Sequence, residues 1–106
     1  MFDGRVRSVR DKILTLIIEA AIELNQQLEN KIPIDRGPDA PLYGQDGVLD
    51  SLGLVSLVVS VEQAIEDQNG ARITLADDRA MSQNHSPFRT IGSLAEYAER
   101  LIQKGL

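Results

Sequence analysis

The 106-residue sequence contains no cysteine and no tryptophan, and it has only two phenylalanines and two tyrosines. Without cysteine the chain has no disulfides, no thiolate metal ligands and no thiol nucleophile of its own. Any thiol chemistry must therefore come from a cofactor. The shortage of aromatic residues predicts an interior lined mostly by branched aliphatic side chains.

The sequence also lacks the apolar segment of a signal peptide and any run of about 18 apolar residues. We therefore expect a cytoplasmic protein that does not insert into a membrane. Hydrophobic residues make up 42% of the chain and charged residues 25%, as in ordinary globular domains. A chain of this length folds around one core, so we expect a single monomeric domain over residues 1–106.

Positive charge is absent from residues 37–71, which contain six acidic residues and no lysine or arginine. The whole chain carries a net charge of −5, so nucleic acid and anionic membrane surfaces would repel it. The acidic segment has two interpretations, a solvated face or a docking surface for basic partners. Its acids are Asp39, Asp46, Asp50, Glu62, Glu66 and Asp67.

Apolar residues recur at steps of three and four in three segments of the chain, which is typical of amphipathic helices. They predict a long first helix over residues 5–28, a second over residues 51–67 and a last helix over residues 91–105. A hydroxyl cap at Thr74, followed by acids, predicts a short helix that ends before Ser82. The expected fold is all-α, a four-helix bundle with a short third helix.

A long connection without helical or strand periodicity separates the first two predicted helices. Residues 29–50 contain three prolines and three glycines, which break regular structure. Long loops within compact domains are usually functional, and we expect this one to cross the bundle and pack against it. The apolar residues that would pack are Ile32, Ile34, Leu42, Tyr43, Val48 and Leu49.

The second predicted helix carries one continuous apolar stripe, made of Leu54, Leu57, Val58, Val61 and Ile65. Leu52, Val55 and Val59 widen this stripe, and on this pattern alone Leu52 is a core residue. Asn69 followed by Gly70 is typical of a helix stop.

The triplet Asp50-Ser51-Leu52 stands where the long loop becomes the second helix. Here the chain resembles the acyl carrier protein family, whose hallmark is an Asp-Ser-Leu triplet that opens the second helix. Aliphatic positions follow in this family, and then an acid late in the helix, matched here by Glu62. The resemblance extends over nearly the whole chain, from the long first helix to the final helix after a Thr-Ile pair.

The resemblance implies a non-catalytic carrier rather than an enzyme. In the family a phosphodiester joins the serine, here Ser51, to 4'-phosphopantetheine, whose terminal thiol holds acyl groups as thioesters. The acid at Asp50 belongs to the surface that the phosphopantetheinyl transferase recognises, and Leu52 packs near the base of the arm. The further partners would be an acyl ligase, a ketosynthase or an acyltransferase of a fatty acid, polyketide or other specialised biosynthetic pathway.

The chemistry of a helix start agrees with this resemblance. A phosphate on Ser51 would face unpaired amides and the positive end of the helix dipole, and the Asp50 carboxylate would cap the same helix. Many carriers have further acids after the triplet, where this chain has Gly53 and Ser56, which indicates a dedicated pathway with its own partners. The residues expected to dock those partners are Asp46, Val55, Glu62 and Glu66.

Two other functions remain open on the sequence alone. An unmodified helical adaptor would use the acidic face only for protein contacts, and a small hydrolase would use Ser51 as a nucleophile. The hydrolase is the weaker alternative, because the sequence has no Gly-x-Ser-x-Gly elbow and nothing places His85 beside Ser51. His85 is the only histidine, so a metal site is not expected either.

Overall fold

The computed structural model describes residues 9–44, 47–70, 72–75 and 87–105. Across these ranges the chain is mainly helical and forms no extended strand. The predicted all-α class is therefore confirmed, while the short helix predicted after Thr74 lies outside the described residues. The helices that the structure describes are α1 (Val9–Asn25), a 3₁₀-helix (Ile34–Asp39), α2 (Ser51–Asn69) and α3 (Ile91–Gly105).

Helix α1 ends earlier than the apolar pattern predicts, at Asn25 instead of Leu28. The Asn25 side chain binds the backbone of Ile32 in both directions: its Nδ2 donates to the carbonyl at 3.0 Å, and its Oδ1 accepts from the amide at 2.8 Å. An asparagine that binds nearby backbone competes with continuation of the helix. Leu28 still packs against the core, but from the connection that follows. The predicted start, at residues 5–8, lies outside the described residues.

The described part of the long connection between α1 and α2 packs against the hydrophobic core, as predicted. It is not irregular throughout, because it contains the 3₁₀-helix, which the prolines obscured in the sequence. Gly37 interrupts that helix with a kink, because its backbone angles (φ 63°, ψ −132°) are not helical, and glycine adopts a positive φ at no steric cost. All the apolar residues expected to pack are buried or lie against the core, namely Ile32, Ile34, Leu42, Tyr43, Val48 and Leu49.

Backbone hydrogen bonds tie this connection to the residues just before α3. The Leu42 amide donates to the Arg89 carbonyl at 2.7 Å, and the Tyr43 amide donates to the Phe88 carbonyl at 3.1 Å. Phe88 is fully buried, so this part of the connection lies directly over the core. These hydrogen bonds hold the middle of the connection against the residues that precede α3.

Helix α2 buries the predicted stripe of Leu54, Leu57, Val58, Val61 and Ile65, each at most 1% exposed. The prediction that Leu52, Val55 and Val59 widen this stripe is wrong, because they are 76%, 40% and 50% exposed. At about 100° of rotation per helical residue, Leu52 lies nearly opposite the centre of the stripe. These three residues form an exposed row on α2, which we call the outer strip.

Helix α3 begins with a reciprocal capping arrangement. The Thr90 Oγ1 accepts a hydrogen bond from the Ser93 amide, and the Ser93 Oγ accepts one from the Thr90 amide, both at 3.0 Å. Thr90 is therefore the cap, although Ser93 and Glu96 also have the spacing of a capping box. Just before this helix, Phe88 meets Tyr97 edge-on, with ring centroids 6.2 Å apart.

Candidate functional site

The junction between the long connection and α2 is built around the Asp50 carboxylate. Asp50 has extended backbone angles, and its Oδ1 accepts a hydrogen bond from the Gly53 amide at 2.7 Å. This is the N-cap that the sequence predicts, and it satisfies one of the amides that a helix leaves unpaired at its start. At the other end of α2, Gly70 adopts a left-handed conformation and ends the helix, also as predicted.

Gly53 allows this cap to close tightly. A Cβ on residue 53 would lie 3.2 Å from both the Asp50 Oδ1 and the Leu49 Cδ2. A larger residue would therefore press on the capping carboxylate and on a buried core side chain. Glycine weakens a helix by up to about 1 kcal/mol relative to alanine, but at this position it accommodates the geometry of the cap.

Ser51 is the first residue of α2, and it is exposed to solvent. Its Oγ lies 3.3 Å from the phenol oxygen of Tyr43, close enough for a hydrogen bond. The sequence pattern places Tyr43 in the packed connection but does not link it with Ser51. No local spacing indicates that their hydroxyl groups meet, so Tyr43 is a site residue that sequence reasoning missed.

A close approach of two backbone segments places Tyr43 beside α2. The Leu49 amide donates to the Leu42 carbonyl at 2.9 Å, and Tyr43 pairs with Leu49 in an isolated parallel bridge. Gly47 lies against this pairing, because a Cβ there would be 2.5 Å from the Leu42 carbonyl oxygen and 2.6 Å from the Tyr43 amide nitrogen. These distances are too short for any side chain, so the approach requires glycine at residue 47.

Leu52 does not pack in the core, because it is 76% exposed. It directly follows Ser51 in the sequence, and Val55, one helical turn further on, is also exposed. Val55 is therefore accessible, as a residue that docks partners must be. Grouped exposed aliphatic residues are typical of surfaces that other proteins contact.

Two acids expected to dock partners further along α2 already have partners within the chain. Glu62 is half-buried, and its Oε2 accepts a hydrogen bond from the Leu75 amide. Glu66 forms an ion pair with Arg72, whose Nη2 and Nε lie 2.9 and 3.2 Å from the Glu66 Oε2. Both acids therefore hold the segment after α2 against the helix. Asp46, also predicted to dock partners, lies outside the described residues.

The described ranges contain no cluster of metal-ligating side chains and no helix that could cross a bilayer. Among those residues, no group of three or more histidine, cysteine, aspartate or glutamate side chains is placed to hold a metal ion. His85 lies outside them. None of the described helices combines the length and the apolar character needed to span a bilayer. Comparisons of the chain with protein-family models, with curated proteins and with solved structures found no match.

Proposed function

We propose that this chain is a carrier protein that holds acyl groups as thioesters on a 4'-phosphopantetheine arm attached to Ser51. One observation carries the proposal: the serine of the Asp-Ser-Leu triplet is exposed at the first position of α2, directly after the capping residue Asp50. A buried Ser51 would be out of reach of any modifying enzyme. Its exposure meets the first requirement for attachment.

The start of α2 is a suitable environment for the phosphodiester of such an arm. Asp50 occupies the Gly53 amide, whereas the amides of Ser51 and Leu52 have no carbonyl partner within the helix, because no helical residue precedes them by four positions. The helix dipole adds positive potential at the same place. A phosphate on Ser51 would therefore lie next to unpaired donors.

The proposal includes an acyl-carrier-like bundle of four helices with the long connection between the first two. Two observations support this arrangement: α1 packs against both α2 and α3, and the connection is buried against the bundle. The short third helix of that bundle remains a prediction, because it falls outside the described residues.

Partners of such a carrier include the phosphopantetheinyl transferase and the ligase, ketosynthase or acyltransferase that loads or extends the acyl group. The outer strip offers them an apolar contact surface beside Ser51. The contribution of charge is smaller than the resemblance implies, since Glu62 and Glu66 are engaged within the chain. We therefore expect Leu52 and Val55 to make the main docking contacts.

An unmodified adaptor is the alternative that the outer strip also favours. Exposed aliphatic side chains on α2 would bind a partner protein whether or not Ser51 carries an arm. The two functions differ in one chemical respect, because only a carrier becomes covalently modified on Ser51. Modification is therefore the property to measure.

Intact mass spectrometry separates the carrier from the adaptor. After coexpression with a broad-specificity phosphopantetheinyl transferase, the parent chain should gain the mass of one arm, and Ser51→Ala should gain nothing. Ser56→Ala is the matched control, because Ser56 is also an exposed serine of α2 and its removal should leave modification intact. A parent chain that stays unmodified with several such transferases would support the adaptor instead.

A hydrolase that uses Ser51 has less support than either function. The side chain that contacts the Ser51 hydroxyl is a phenol, that of Tyr43, whereas serine nucleophiles are usually activated by an adjacent histidine or another strong base. An active-site phosphonate tests this alternative. Labelling of Ser51 by the phosphonate would revive the hydrolase, and we expect none.

A further inference from the structure

Two hydroxyl groups from different parts of the fold meet at the start of α2. The Tyr43 phenol belongs to the long connection, the Ser51 hydroxyl belongs to the first residue of the helix, and their oxygens lie 3.3 Å apart. Tyr43 is partly buried and packs against the core, while Ser51 is exposed. The contact therefore joins an anchored group to a side chain that would otherwise rotate freely.

Tyr43 is anchored by its backbone as well as by its ring. Its amide donates to the Phe88 carbonyl at 3.1 Å, and the neighbouring Leu42 carbonyl accepts from the Leu49 amide at 2.9 Å. Leu49 is followed directly by Asp50, the cap of α2. The same backbone pairing therefore sets the position of Tyr43 relative to the helix start.

We propose that Tyr43 is a positioning residue for the modification of Ser51, an inference that rests on the carrier function proposed above. A serine at an exposed helix start samples up to three staggered χ1 rotamers. Either hydroxyl could donate at this distance, and in the proposed arrangement the Tyr43 phenol donates to the Ser51 Oγ and selects one of these rotamers. It also leaves the serine proton and a second lone pair of the oxygen open to solvent, where the transferase must reach them.

The covalent step places this hydrogen bond at the reacting oxygen. The Ser51 Oγ attacks a phosphorus atom of a pantetheine donor that contains a pyrophosphate, such as coenzyme A. The Oγ–P bond forms as the bridging P–O bond breaks, the nucleotide phosphate leaves with that electron pair, and the serine proton passes to a base of the transferase. Tyr43 exchanges no proton in this step, so it orients the nucleophile without acting as acid or base.

Tyr43→Phe tests the inference, because it removes the hydroxyl and keeps the ring that packs against the core. With a broad-specificity transferase and coenzyme A, we expect kcat for modification to fall about three- to tenfold, the range that one neutral hydrogen bond and one rotamer selection provide. The KM of the transferase for the carrier chain should stay unchanged, because the substitution leaves the outer strip, the expected docking surface, intact. Tyr97→Phe, which removes the phenol of α3, is the matched control and should equal the parent in both constants.

The Ser51 rotamer provides a readout that needs no transferase. Three-bond coupling constants should show one dominant χ1 rotamer for Ser51 in the parent and averaging over several in Tyr43→Phe, at an unchanged midpoint of thermal unfolding. If the coupling constants of the parent already show averaging over several χ1 rotamers, the inference is overturned. This outcome needs only the parent, so it holds even if Tyr43→Phe does not fold.

Kinetics overturn the inference in two further ways. The first is a kcat of Tyr43→Phe that equals that of the parent. The second is a kcat of Tyr97→Phe that falls as far as that of Tyr43→Phe, since the loss would then not be specific to the phenol beside Ser51. Both results require a parent chain that is modified. If the carrier function itself is wrong, the parent gains no arm under any condition, and the positioning role of Tyr43 is then also wrong.

Discussion

The two ends of α2 use their polar side chains in different ways. At the start, Asp50 completes the cap and Ser51 stays exposed, so a reactive hydroxyl is presented at a well-capped turn. Further along, Glu62 and Glu66 are bound by the segment that follows the helix. Both ends lie in one acidic stretch of sequence. Carboxylates near both ends accept hydrogen bonds from backbone amides of the chain, so the two ends differ in the exposed Ser51 hydroxyl at the start rather than in unpartnered charge.

The largest effect on stability is expected at Glu62, whose carboxylate accepts a hydrogen bond from the segment after α2. Glu62→Ala leaves the amide of the buried residue Leu75 without its acceptor, and we expect the free energy of unfolding to fall by about 1 to 3 kcal/mol. Glu62→Gln keeps an acceptor oxygen and removes the charge, so it should lose much less. Urea denaturation of the parent and both variants measures the difference.

The rate of Ser51 modification in the same variants shows whether Glu62 also docks partners. If its role is structural, Glu62→Gln should be modified at the parent rate. If Ser51 modification is slowed equally in Glu62→Gln and Glu62→Ala, the charge of Glu62 takes part in docking. Glu62 would then not be a purely structural residue.

A smaller effect is expected from the cap at the start of the helix. Asp50→Ala should lower the free energy of unfolding by about 1 kcal/mol, because the Gly53 amide loses its acceptor. Asp50→Asn should stay close to the parent, since asparagine is an equally good N-cap. Thermal or urea unfolding measures both, and a stable Asp50→Ala variant would contradict the assigned cap.

Substitutions of Asp50 also separate its capping role from a role in partner recognition. Charge reversal with Asp50→Lys should slow modification of Ser51, and more so at low salt, because ions screen exposed charges. Asp50→Asn, which keeps the cap, should show whether that slowing comes from charge or from a weakened helix start. Equal modification rates for the parent, Asp50→Asn and Asp50→Lys would remove the charge of Asp50 from partner recognition.

Gly53→Ala is expected to change the free energy of unfolding by less than Glu62→Ala or Asp50→Ala. Alanine favours the helix by up to about 1 kcal/mol, but its Cβ would lie 3.2 Å from the Asp50 carboxylate and from Leu49, so the two effects oppose each other. In the Asp50→Ala variant the contact between the new Cβ and the Asp50 carboxylate is absent, and only the contact with Leu49 remains. We expect Gly53→Ala to be about 0.5 kcal/mol more favourable there, measured as a double-mutant cycle. Additivity of the two substitutions would contradict the tight cap.

The smallest effect is expected at the Glu66–Arg72 ion pair, whose side chains are 43% and 85% exposed. Glu66→Gln should lower the free energy of unfolding by no more than about 0.5 kcal/mol, because water screens exposed pairs. The loss should vanish at about 1 M salt. Asp67→Asn is the matched control, as it removes a neighbouring exposed charge and leaves the pair intact. A loss that persists in high salt would show that Glu66 matters beyond this pair.

The sequence by itself determines where α2 begins and ends and which face of it is buried. Asp50 caps the helix and Gly70 stops it through contacts that reach only three or four residues along the chain. The stripe around Val58 follows from the helical repeat. Such signals are local, so they are present in the sequence before any tertiary contact forms.

Only the tertiary structure decides which groups from other parts of the chain meet at this helix. The exposure of Leu52 is not among these decisions, because about 100° of rotation per helical residue already places it nearly opposite the buried stripe. The contact between Tyr43 and Ser51 depends on how the long connection folds back over the core. The partner of Glu62 likewise comes from a segment beyond the helix. These contacts join residues that no periodic pattern relates, because they are set by the path of the chain between helices.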